Sequence, residues 1–420
     1  MIEVKPKATI RCSVNLPGSK SVTHRALVAA ALADGQSSIE NWLECEDTRC
    51  TIDALRELGV CFSQAPNRIT VSGSGGSFHP QLQRREIFVG NSGTTCRFMM
   101  SILALASGEY ALTGTPRMHE RPAGGLVKAL NALGVSISYI FREGYPPVRV
   151  EGGGIRGGCA TIDGRESSQY VSSLLLSAPC AQNDVEIQVT GKLVSAPYVD
   201  LTLDVMRKFG ISVYREGYGY FKVEAGQAYR STPFVVESDV SSASYFWAAA
   251  AVTGGTVTTK NINADSRQGD MGFLAVIEEM GCQVERGNGE ITVHGGPLHG
   301  IDADMSPMPD LVPTLAAMAP FAKGSTVIRN VPHLRLKESD RLRAVAREWA
   351  RLGSRVDEHD DGLTIYGDQK LSGTVVDPHD DHRIAMSLAV VGLRAPGIRI
   401  TNENCVDKSF PGFWKTWETL

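Results

Sequence analysis

The sequence predicts an α/β protein made of repeated units in two similar domains, and three observations support this prediction. One pattern recurs along the chain: a helix that ends in an apolar residue and Gly is followed by a short strand, a turn and a second strand. The glycines that anchor this pattern return roughly every 70–76 residues, a period that fits a mixed α/β unit. The chain has 420 residues, which is long for one hydrophobic core.

Five full copies of the pattern are present, and a shortened sixth copy fits after Val376. The full copies are residues 58–60 with 69–73, 133–135 with 148–152, 209–211 with 221–223, 280–282 with 291–295, and 352–354 with 363–367. The sixth copy runs through residues 384–391 and 398–401. Six units indicate three per domain, with the change of domain near residues 233–239. A solenoid is the alternative for repeats, but these units are long and rich in loops.

Composition excludes several classes of protein. The formal net charge of −4 argues against a nucleic-acid-binding surface. Nine cysteines without a CxxC pair indicate reduced thiols in a cytosolic protein rather than a disulfide framework or a zinc site. The N-terminal residues lack the apolar region of a signal peptide, and no apolar run is long enough to span a membrane.

Residues 16–25 predict an anion site at the start of a helix. Pro17 and Gly18 indicate a turn, Ser19 is a good N-cap, and Lys20 falls in the first helical turn. Arg25 lies four positions after Ser21, on the same helical face. Free N–H groups, a hydroxyl and two cations suit a phosphate. A P-loop is excluded because Ser19 precedes Lys20 where Walker A needs Gly, while a solvated basic helix start remains the alternative.

Other helix starts carry polar or cationic residues, each with a plain structural alternative. Residues 89–97 run from a strand through a Gly-rich turn into a helix, and Arg121 is expected just before a helix with Pro122 at its first position. Serines at 167, 168 and 195 and the carboxylates of Asp239 and Asp310 are favourable at helix starts without any ligand.

The C-terminal half has three further charged motifs. Lys337 and Arg341 are predicted on one helical face with Glu338 beside them, an arrangement that is also typical of a surface salt-bridge face. Residues 380–383 open an apolar helix. His379 and His382 with the nearby Asp residues could bind a metal, although Arg383 argues against that. Lys408 precedes the last short helix.

Together these helix starts predict a positive interior in an acidic protein, which suits small substrates with several negative charges.

The motifs resemble the 5-enolpyruvylshikimate-3-phosphate (EPSP) synthase family, in the same order and across nearly the whole chain. The matching segments are residues 16–25, 90–97, 120–122, 167–169, 239–246, 336–341, 381–383 and 408–411. The resemblance implies two domains, each of three βαβαββ units with helices inside and sheets outside, that close on substrate binding. It places the N-terminal strand with the second half. The expected domains are therefore 14–235, and 1–13 with 236–420, with the hinge and active-site cleft between them.

The resemblance also implies a reaction, in which the enolpyruvyl group of phosphoenolpyruvate passes to the 5-hydroxyl of shikimate 3-phosphate and phosphate leaves. Asp310 is expected to be the base for the hydroxyl, and Glu338 and Lys20 are both candidates for proton delivery. The residues implied for shikimate 3-phosphate are Lys20, Ser21, Arg25, Ser167, Ser168, Gln169, Ser195, Asp310, His333 and Lys337. Those implied for phosphoenolpyruvate are Lys20, Gly93, Arg121, Gln169, Arg341, Arg383 and Lys408. No metal, organic cofactor, nucleic acid or membrane is implied, and the expected protein is a cytoplasmic monomer.

The sequence departs from the family at some positions. His24 and His333 stand where many members carry Asn, and the Gly-rich motif varies at positions 92, 95, 96 and 98, which leaves sensitivity to glyphosate open. The sister enzyme that uses UDP-N-acetylglucosamine usually has a reactive Cys in a loop that here, at residues 114–121, has none. A non-catalytic anion-binding relative would be expected to lack Asp310 or Glu338, and both are present.

Overall fold

The computed structural model describes residues 1–78, 80 and 84–420, apart from the side chain of residue 84. The described strands are β1 Ile2–Glu3, β2 Arg11–Asn15, β3 Gln36–Glu40, β4 Cys61–Ala65, β5 Arg68–Ser72, β6 Arg84–Phe88, β7 Glu109–Thr113, β8 Ser136–Tyr139, β9 Val148–Glu151, β10 Gly158–Asp163, β11 Val185–Thr190, β12 Tyr214–Glu216, β13 Tyr220–Val223, β14 Pro233–Val235, β15 Thr256–Lys260, β16 Gln283–Arg286, β17 Glu290–His294, β18 Asp302–Asp304, β19 Ser325–Arg329, β20 Val356–His359, β21 Gly362–Tyr366, β22 Val375–Val376 and β23 Arg399–Ile400. The described α-helices are α1 Lys20–Leu32, α2 Glu46–Glu57, α3 Gly93–Ile102, α4 Gly124–Ala132, α5 Ser168–Ser177, α6 Pro197–Lys208, α7 Val240–Thr253, α8 Phe273–Glu279, α9 Val312–Met318, α10 Arg341–Arg351, α11 His382–Gly392 and α12 Phe413–Trp417.

The chain forms two compact units. The continuous unit is Gly18–Val236, and the split unit combines Met1–Pro17 with Glu237–Leu420. Each unit has its own cluster of buried apolar side chains. Among the described residues, no helix has the length and apolar character needed to cross a membrane.

Each unit contains three small sheets with a common pattern. In the continuous unit the strand orders are β14-β3-β5-β4, β6-β7-β9-β8 and β10-β11-β13-β12, and in the split unit they are β2-β15-β17-β16, β18-β19-β21-β20 and the shorter β1-β23-β22. In the four-stranded sheets the first pair is parallel and the other pairs are antiparallel. In the sheets that begin with β6, β10 and β18, a helix connects the two parallel strands, as the βαβ geometry requires. The expected βαβαββ repeat is therefore confirmed.

The glycines that anchor the predicted repeat all end helices in a left-handed conformation. Their φ angles are 91° at Gly59, 83° at Gly134, 88° at Gly210, 110° at Gly281 and 92° at Gly353. Such a conformation just past a helix end favours Gly, because it has no Cβ to clash. The shortened sixth unit is also confirmed, as β22, α11 and β23 with β1 added antiparallel.

Within each unit the helices form an inner and an outer set. The inner helices α1, α3 and α5 pack together in the continuous unit, and α7, α9 and α11 do so in the split unit. Eleven of the 13 residues of α1 and 13 of the 14 residues of α7 are buried, so these helices are surrounded by protein. The strands alternate between buried and more exposed residues, as in β5, so one face of each sheet covers the core. Helices inside and sheets outside are thus confirmed within each unit.

Two strands, β2 and β14, are exchanged where the chain passes between the units. β2 directly precedes α1 in sequence but pairs in parallel with β15 in the split unit, with Arg11 opposite Thr256. β14 directly precedes α7 but pairs in parallel with β3 in the continuous unit, with Pro233 opposite Ser38. The first strand of one sheet in each unit therefore comes from the segment just before the chain passes into the other unit.

Candidate active site

The starts of α1, α2 and α3 lie together in the continuous unit. Lys20, the first residue of α1, donates from Nζ to Oδ2 of Asp47 at 3.0 Å, and Asp47 is in the first turn of α2. The hydroxyl of Thr95 in α3 donates to the backbone oxygen of Asp47 at 3.2 Å. Ser19 is at the N-cap of α1, as predicted, but its side chain makes no capping hydrogen bond. Lys20 at this helix start is thus held by a carboxylate.

Arg25 is a fully buried cation whose hydrogen bonds go to neutral oxygens. Its Nε donates to the Thr202 hydroxyl at 2.7 Å, and its Nη atoms donate to the backbone oxygens of Ser21 at 2.8 Å and Tyr198 at 3.0 Å. The guanidinium also lies 5.3 Å from the centre of the Phe98 ring. Burial lowers the pKa of Arg25 to about 10, because little around it compensates the charge. An anion would stabilise this cation.

The starts of α3 and α5 are also neighbours. The amide of Gln169 donates to the Thr94 hydroxyl at 3.1 Å. Ser167 caps α5 by accepting from the backbone N–H of Gln169, as predicted, and Ser168 is buried beside it. Two helix N-termini here present free N–H groups in one place, which favours bound anions.

Gly93 and Arg121 are in direct contact. The guanidinium of Arg121 covers Gly93, where an added Cβ would lie 2.3 Å from Nη2. One Nη1 bond, of 3.0 Å to the backbone oxygen of Asn91, holds Arg121 over the Gly-rich turn. An added Cβ at Gly93 would therefore displace the end of the Arg121 side chain.

Two predictions about helix starts in this unit are wrong. α4 begins at Gly124, so Pro122 is not its first residue; the Pro122 carbonyl instead accepts from Arg97 and Tyr170. Ser195 is not a cap, because Ala196 occupies the N-cap of α6 and Ser195 has a left-handed φ of 53°.

Arg341 is the centre of a buried ionic cluster in the split unit. Its side chain is 1% exposed and donates to Asp310 at 2.9 Å, Glu338 at 2.8 Å and Asp381 at 2.8 Å. These carboxylates raise the pKa of Arg341 above its usual range although burial opposes them. The alternative of a surface salt-bridge face is therefore wrong, because Arg341 and its ion pairs are buried instead of exposed to solvent.

Asp310 is shared between two guanidiniums. It lies in the short turn Pro309–Leu311 before α9, and Oδ2 accepts from Arg383 at 2.8 Å while Oδ1 accepts from Arg341. Burial acts to raise its pKa, but Arg383, Lys337 and Arg341 hold the pKa well below its usual range. The group is thus ionised in the free protein.

Lys337 and Glu338 do not lie on a helix, which corrects the predicted helical face. Lys337 follows the turn Pro332–Leu336 in an extended conformation, and Asp340 caps α10 by accepting from the N–H of Arg343 at 3.1 Å. The cap starts the helix at Arg341, so Glu338 reaches the Arg341 guanidinium from the loop. The predicted cluster forms, but by a different local structure.

His333 is buried in the same turn, and neither ring nitrogen has a hydrogen-bond partner among the described residues. Burial, and then Lys337, lowers the pKa of His333 to about 3. A neutral imidazole with both nitrogens available can donate to or accept from a ligand hydroxyl.

The two remaining predicted residues of this unit, Arg383 and Lys408, lie at the start of α11 and at the end of a short turn. Asp381 caps α11 by accepting from the N–H of Arg383, and Lys408 is buried at the end of the turn Glu403–Lys408. His379 contacts Glu348 at 3.1 Å. No group of three His, Cys, Asp or Glu side chains in residues 1–78, 80 and 84–420 is arranged to hold a metal ion.

Sequence reasoning did not assign Asp47, Asn91 or Asp381 to the site. An acid in a first helical turn or at a cap is favourable in any helix, so Asp47 and Asp381 carried no distinct signal. Asn91 was part of the Gly-rich motif, but only its contact with Arg121 indicates a role.

The fold and these clusters are typical of a class of protein, an α/β enzyme with cations at its helix starts and an ionised carboxylate, Asp310, among cations. A family model for EPSP synthase (3-phosphoshikimate 1-carboxyvinyltransferase) matches residues 4–417. The chain belongs to this family.

Individual relatives agree with the family match. The chain is similar to a 3-phosphoshikimate 1-carboxyvinyltransferase of Sulfurovum sp., with 44% identity over all of this chain and 99% of the relative. It is 46% identical to the protein of that name from Methanoculleus marisnigri, over 99% and 98% of the two chains. The solved EPSP synthase of Acinetobacter baumannii matches with a TM-score of 0.83 and 29% identity, over 99% and 97% of the chains.

Proposed function

We propose that the protein transfers the enolpyruvyl group of phosphoenolpyruvate to the 5-hydroxyl of shikimate 3-phosphate and releases phosphate, a step of aromatic amino-acid biosynthesis. Family membership over residues 4–417 supports this activity. The observation that carries the proposal is Asp310, a carboxylate held at 2.9 and 2.8 Å by Arg341 and Arg383. A base surrounded by cations suits the addition of a hydroxyl to an anionic enol phosphate.

The reaction needs proton transfers in both its addition and its elimination, and no external oxidant or reductant. The 5-hydroxyl oxygen bonds to the enol carbon and loses its proton, while the methylene carbon gains a proton to become a methyl group. The tetrahedral intermediate then loses phosphate from that carbon and a proton from the methyl group, which restores the double bond.

The residues that we propose for shikimate 3-phosphate are those that the family resemblance implies. In the continuous unit the hydroxyls and cations near Arg25 would bind its phosphate and ring, and in the split unit Asp310, His333 and Lys337 would bind its hydroxyls. The full assigned set is Lys20, Ser21, Arg25, Ser167, Ser168, Gln169, Ser195, Asp310, His333 and Lys337.

Phosphoenolpyruvate is assigned to the guanidiniums and the Gly-rich turn. Arg121 covers Gly93, and Arg341 and Arg383 share Asp310. The full assigned set is Lys20, Gly93, Arg121, Gln169, Arg341, Arg383 and Lys408.

Substrate binding would make Asp310 a better base. In the free protein Arg383 and Arg341 lower its pKa, and a carboxylate with a low pKa accepts protons poorly. An anion on the two guanidiniums offsets their charge, so the proton affinity of Asp310 rises when phosphoenolpyruvate is bound. The base would thus be activated only in the complete complex.

Glu338 and Lys20 remain the two candidates for proton delivery to the methylene carbon. Glu338 donates nothing while it is ionised and paired with Arg341, and Lys20 is paired with Asp47. Exchange of methylene hydrogens in D₂O by Glu338→Gln and Lys20→Met variants would separate them, because only loss of the true donor abolishes exchange.

We further propose a cytoplasmic monomer whose two units are the domains expected at 14–235 and at 1–13 with 236–420. The net charge of −4 supports a soluble protein without a nucleic-acid partner. Light scattering of the purified protein tests the monomer, and a dimer mass would contradict it.

The deciding experiment is phosphate release from phosphoenolpyruvate with shikimate 3-phosphate or, in parallel, UDP-N-acetylglucosamine. We expect release only with shikimate 3-phosphate, and Asp310→Asn should lower kcat by about 10²–10⁴-fold because the general base is lost. Asp302→Asn, which changes an exposed carboxylate paired with Arg329, is the matched control. A folded wild-type protein that releases no phosphate in either reaction would overturn the proposed function.

A further inference from the structure

Asp270 is a buried carboxyl group near the cation cluster of the split unit to which the reaction assigns no role. It lies in the short turn Gly269–Gly272 before α8 and is 3% exposed. The Ser241 hydroxyl in the first turn of α7 donates to Oδ2. Oδ1 is buried and has no hydrogen-bond partner among the described residues. A fully ionised carboxylate in such a place would be poorly solvated.

The nearby charges are already balanced without Asp270. Arg341 and Arg383 bond to Asp310, Glu338 and Asp381, and Lys337 adds a third cation near Asp310. Asp239 and Asp270 add two further carboxyl groups, which makes five for these three cations. Such an excess negative charge in a buried cluster is relieved by binding a proton.

The groups that act most strongly on Asp270 come from several elements. Burial raises its pKa to about 7, and Asp310, in the turn before α9, and Asp239, at the N-cap of α7, also raise it. Arg383 at the start of α11 and the Ser241 hydroxyl lower it. Its charge state therefore responds to small changes around Arg383.

We propose that Asp270 is a positioning residue that acts through Arg383: it carries a proton when phosphoenolpyruvate binds, and its ionisation weakens that binding. This inference rests on the proposed function. The protonated carboxyl leaves the Arg383 charge for the substrate anion. Once ionised, Asp270 competes for the same guanidinium and repels the anion.

The sign of the effect follows from linkage between the proton and the substrate. Bound phosphoenolpyruvate adds negative charge near Arg383, which raises the proton affinity of Asp270. Reciprocally, the protonated protein binds phosphoenolpyruvate more tightly. The KM for phosphoenolpyruvate should therefore increase as the pH rises through neutrality and Asp270 loses its proton.

The test compares wild type with Asp270→Asn, which imitates the neutral form. The KM for phosphoenolpyruvate is measured by phosphate release from pH 6 to pH 9, with Asp302→Asn as the control. We expect the wild-type KM to rise about tenfold more than that of Asp270→Asn, a typical coupling between two sites. The KM for shikimate 3-phosphate should have the same pH profile in both. Parallel profiles for phosphoenolpyruvate would overturn the inference.

Two further measurements keep the test decisive. Ser241→Ala removes a hydrogen bond that favours the ionised form, so the rise in KM should move to higher pH; an unmoved profile contradicts the inference. Infrared spectra at pH 6 should show a protonated-carboxyl band in wild type that Asp270→Asn lacks.

If wild type releases no phosphate, the proposed function fails and this inference fails with it. If wild type is active and the profiles are parallel, only this inference fails.

Discussion

Arg25 in the continuous unit and Arg341 in the split unit are both fully buried guanidiniums beside helix starts, but their surroundings differ. Arg25 donates to a hydroxyl and to backbone oxygens, and burial lowers its pKa to about 10. Arg341 donates to three carboxylates, which raise its pKa.

The difference indicates two uses of the same fold. A buried cation with neutral partners costs free energy that a bound anion recovers, so the surroundings of Arg25 suit ligand binding. A cation matched by carboxylates stabilises the protein and keeps ionised groups in place for proton transfer. Substitutions of the two arginines should therefore affect different properties.

The largest effect is expected for Arg341→Met on stability. Removing the guanidinium leaves Asp310, Glu338 and Asp381 without their shared partner, which should lower the free energy of unfolding by about 3–5 kcal/mol. The deficit should shrink at low pH, where Asp310, having lost one of the guanidiniums that hold its pKa low, binds a proton. Urea denaturation measures it, and the exposed pair of Arg286 with Glu278 offers the control Arg286→Met, expected to cost about 0–1 kcal/mol. Equal losses of unfolding free energy in Arg341→Met and Arg286→Met would contradict the stabilising role of the Arg341 cluster.

A smaller effect, on binding, is expected for Arg25→Met. The variant removes a buried charge that lacks a carboxylate partner, so the free energy of unfolding should change by less than about 1 kcal/mol. The KM for shikimate 3-phosphate should rise about 10–100-fold, equivalent to about 1.4–2.8 kcal/mol of lost anion binding. Steady-state kinetics test this, with the exposed Arg207→Met on α6 as the control. A large loss of stability with an unchanged KM would reverse the interpretation of the two arginines.

The smallest effect is expected for Gly93→Ala. The added methyl group would displace the end of the flexible Arg121 side chain from its position over the turn, which should raise the KM for phosphoenolpyruvate about tenfold with little change in stability. Gly219→Ala is the control, because the nearest atom to its added Cβ is 3.9 Å away. An unchanged KM would show that Arg121 at this position does not determine phosphoenolpyruvate binding.

Much of the fold could be predicted because its signals are local. A helix that ends in a left-handed Gly and a following hairpin need only neighbouring residues, so the repeat was visible from Gly59 to Gly353. The helix starts at Lys20, Ser168 and His382 were predicted for the same reason.

The candidate site was less predictable because it depends on contacts between distant residues. The spacing of Lys337 and Arg341 is typical of a helix, but the Asp340 cap begins the helix later. Burial of Arg341 depends on Asp310 and Asp381, which lie 31 and 40 residues away in the chain. Asp270 has no local signal, since its properties come from burial and from distant groups such as Arg383 and Ser241.

The exchanged strands have a consequence for the order in which the units can fold during synthesis. Chains emerge from the N-terminus, and β2 is made long before its partner β15, since Arg11 pairs with Thr256. All strands of the continuous unit, including β14, are complete by Val236. A nascent chain can therefore finish the middle of the molecule while its first residues still wait for their partner, so the split unit is the last to form although it contains the first strand made.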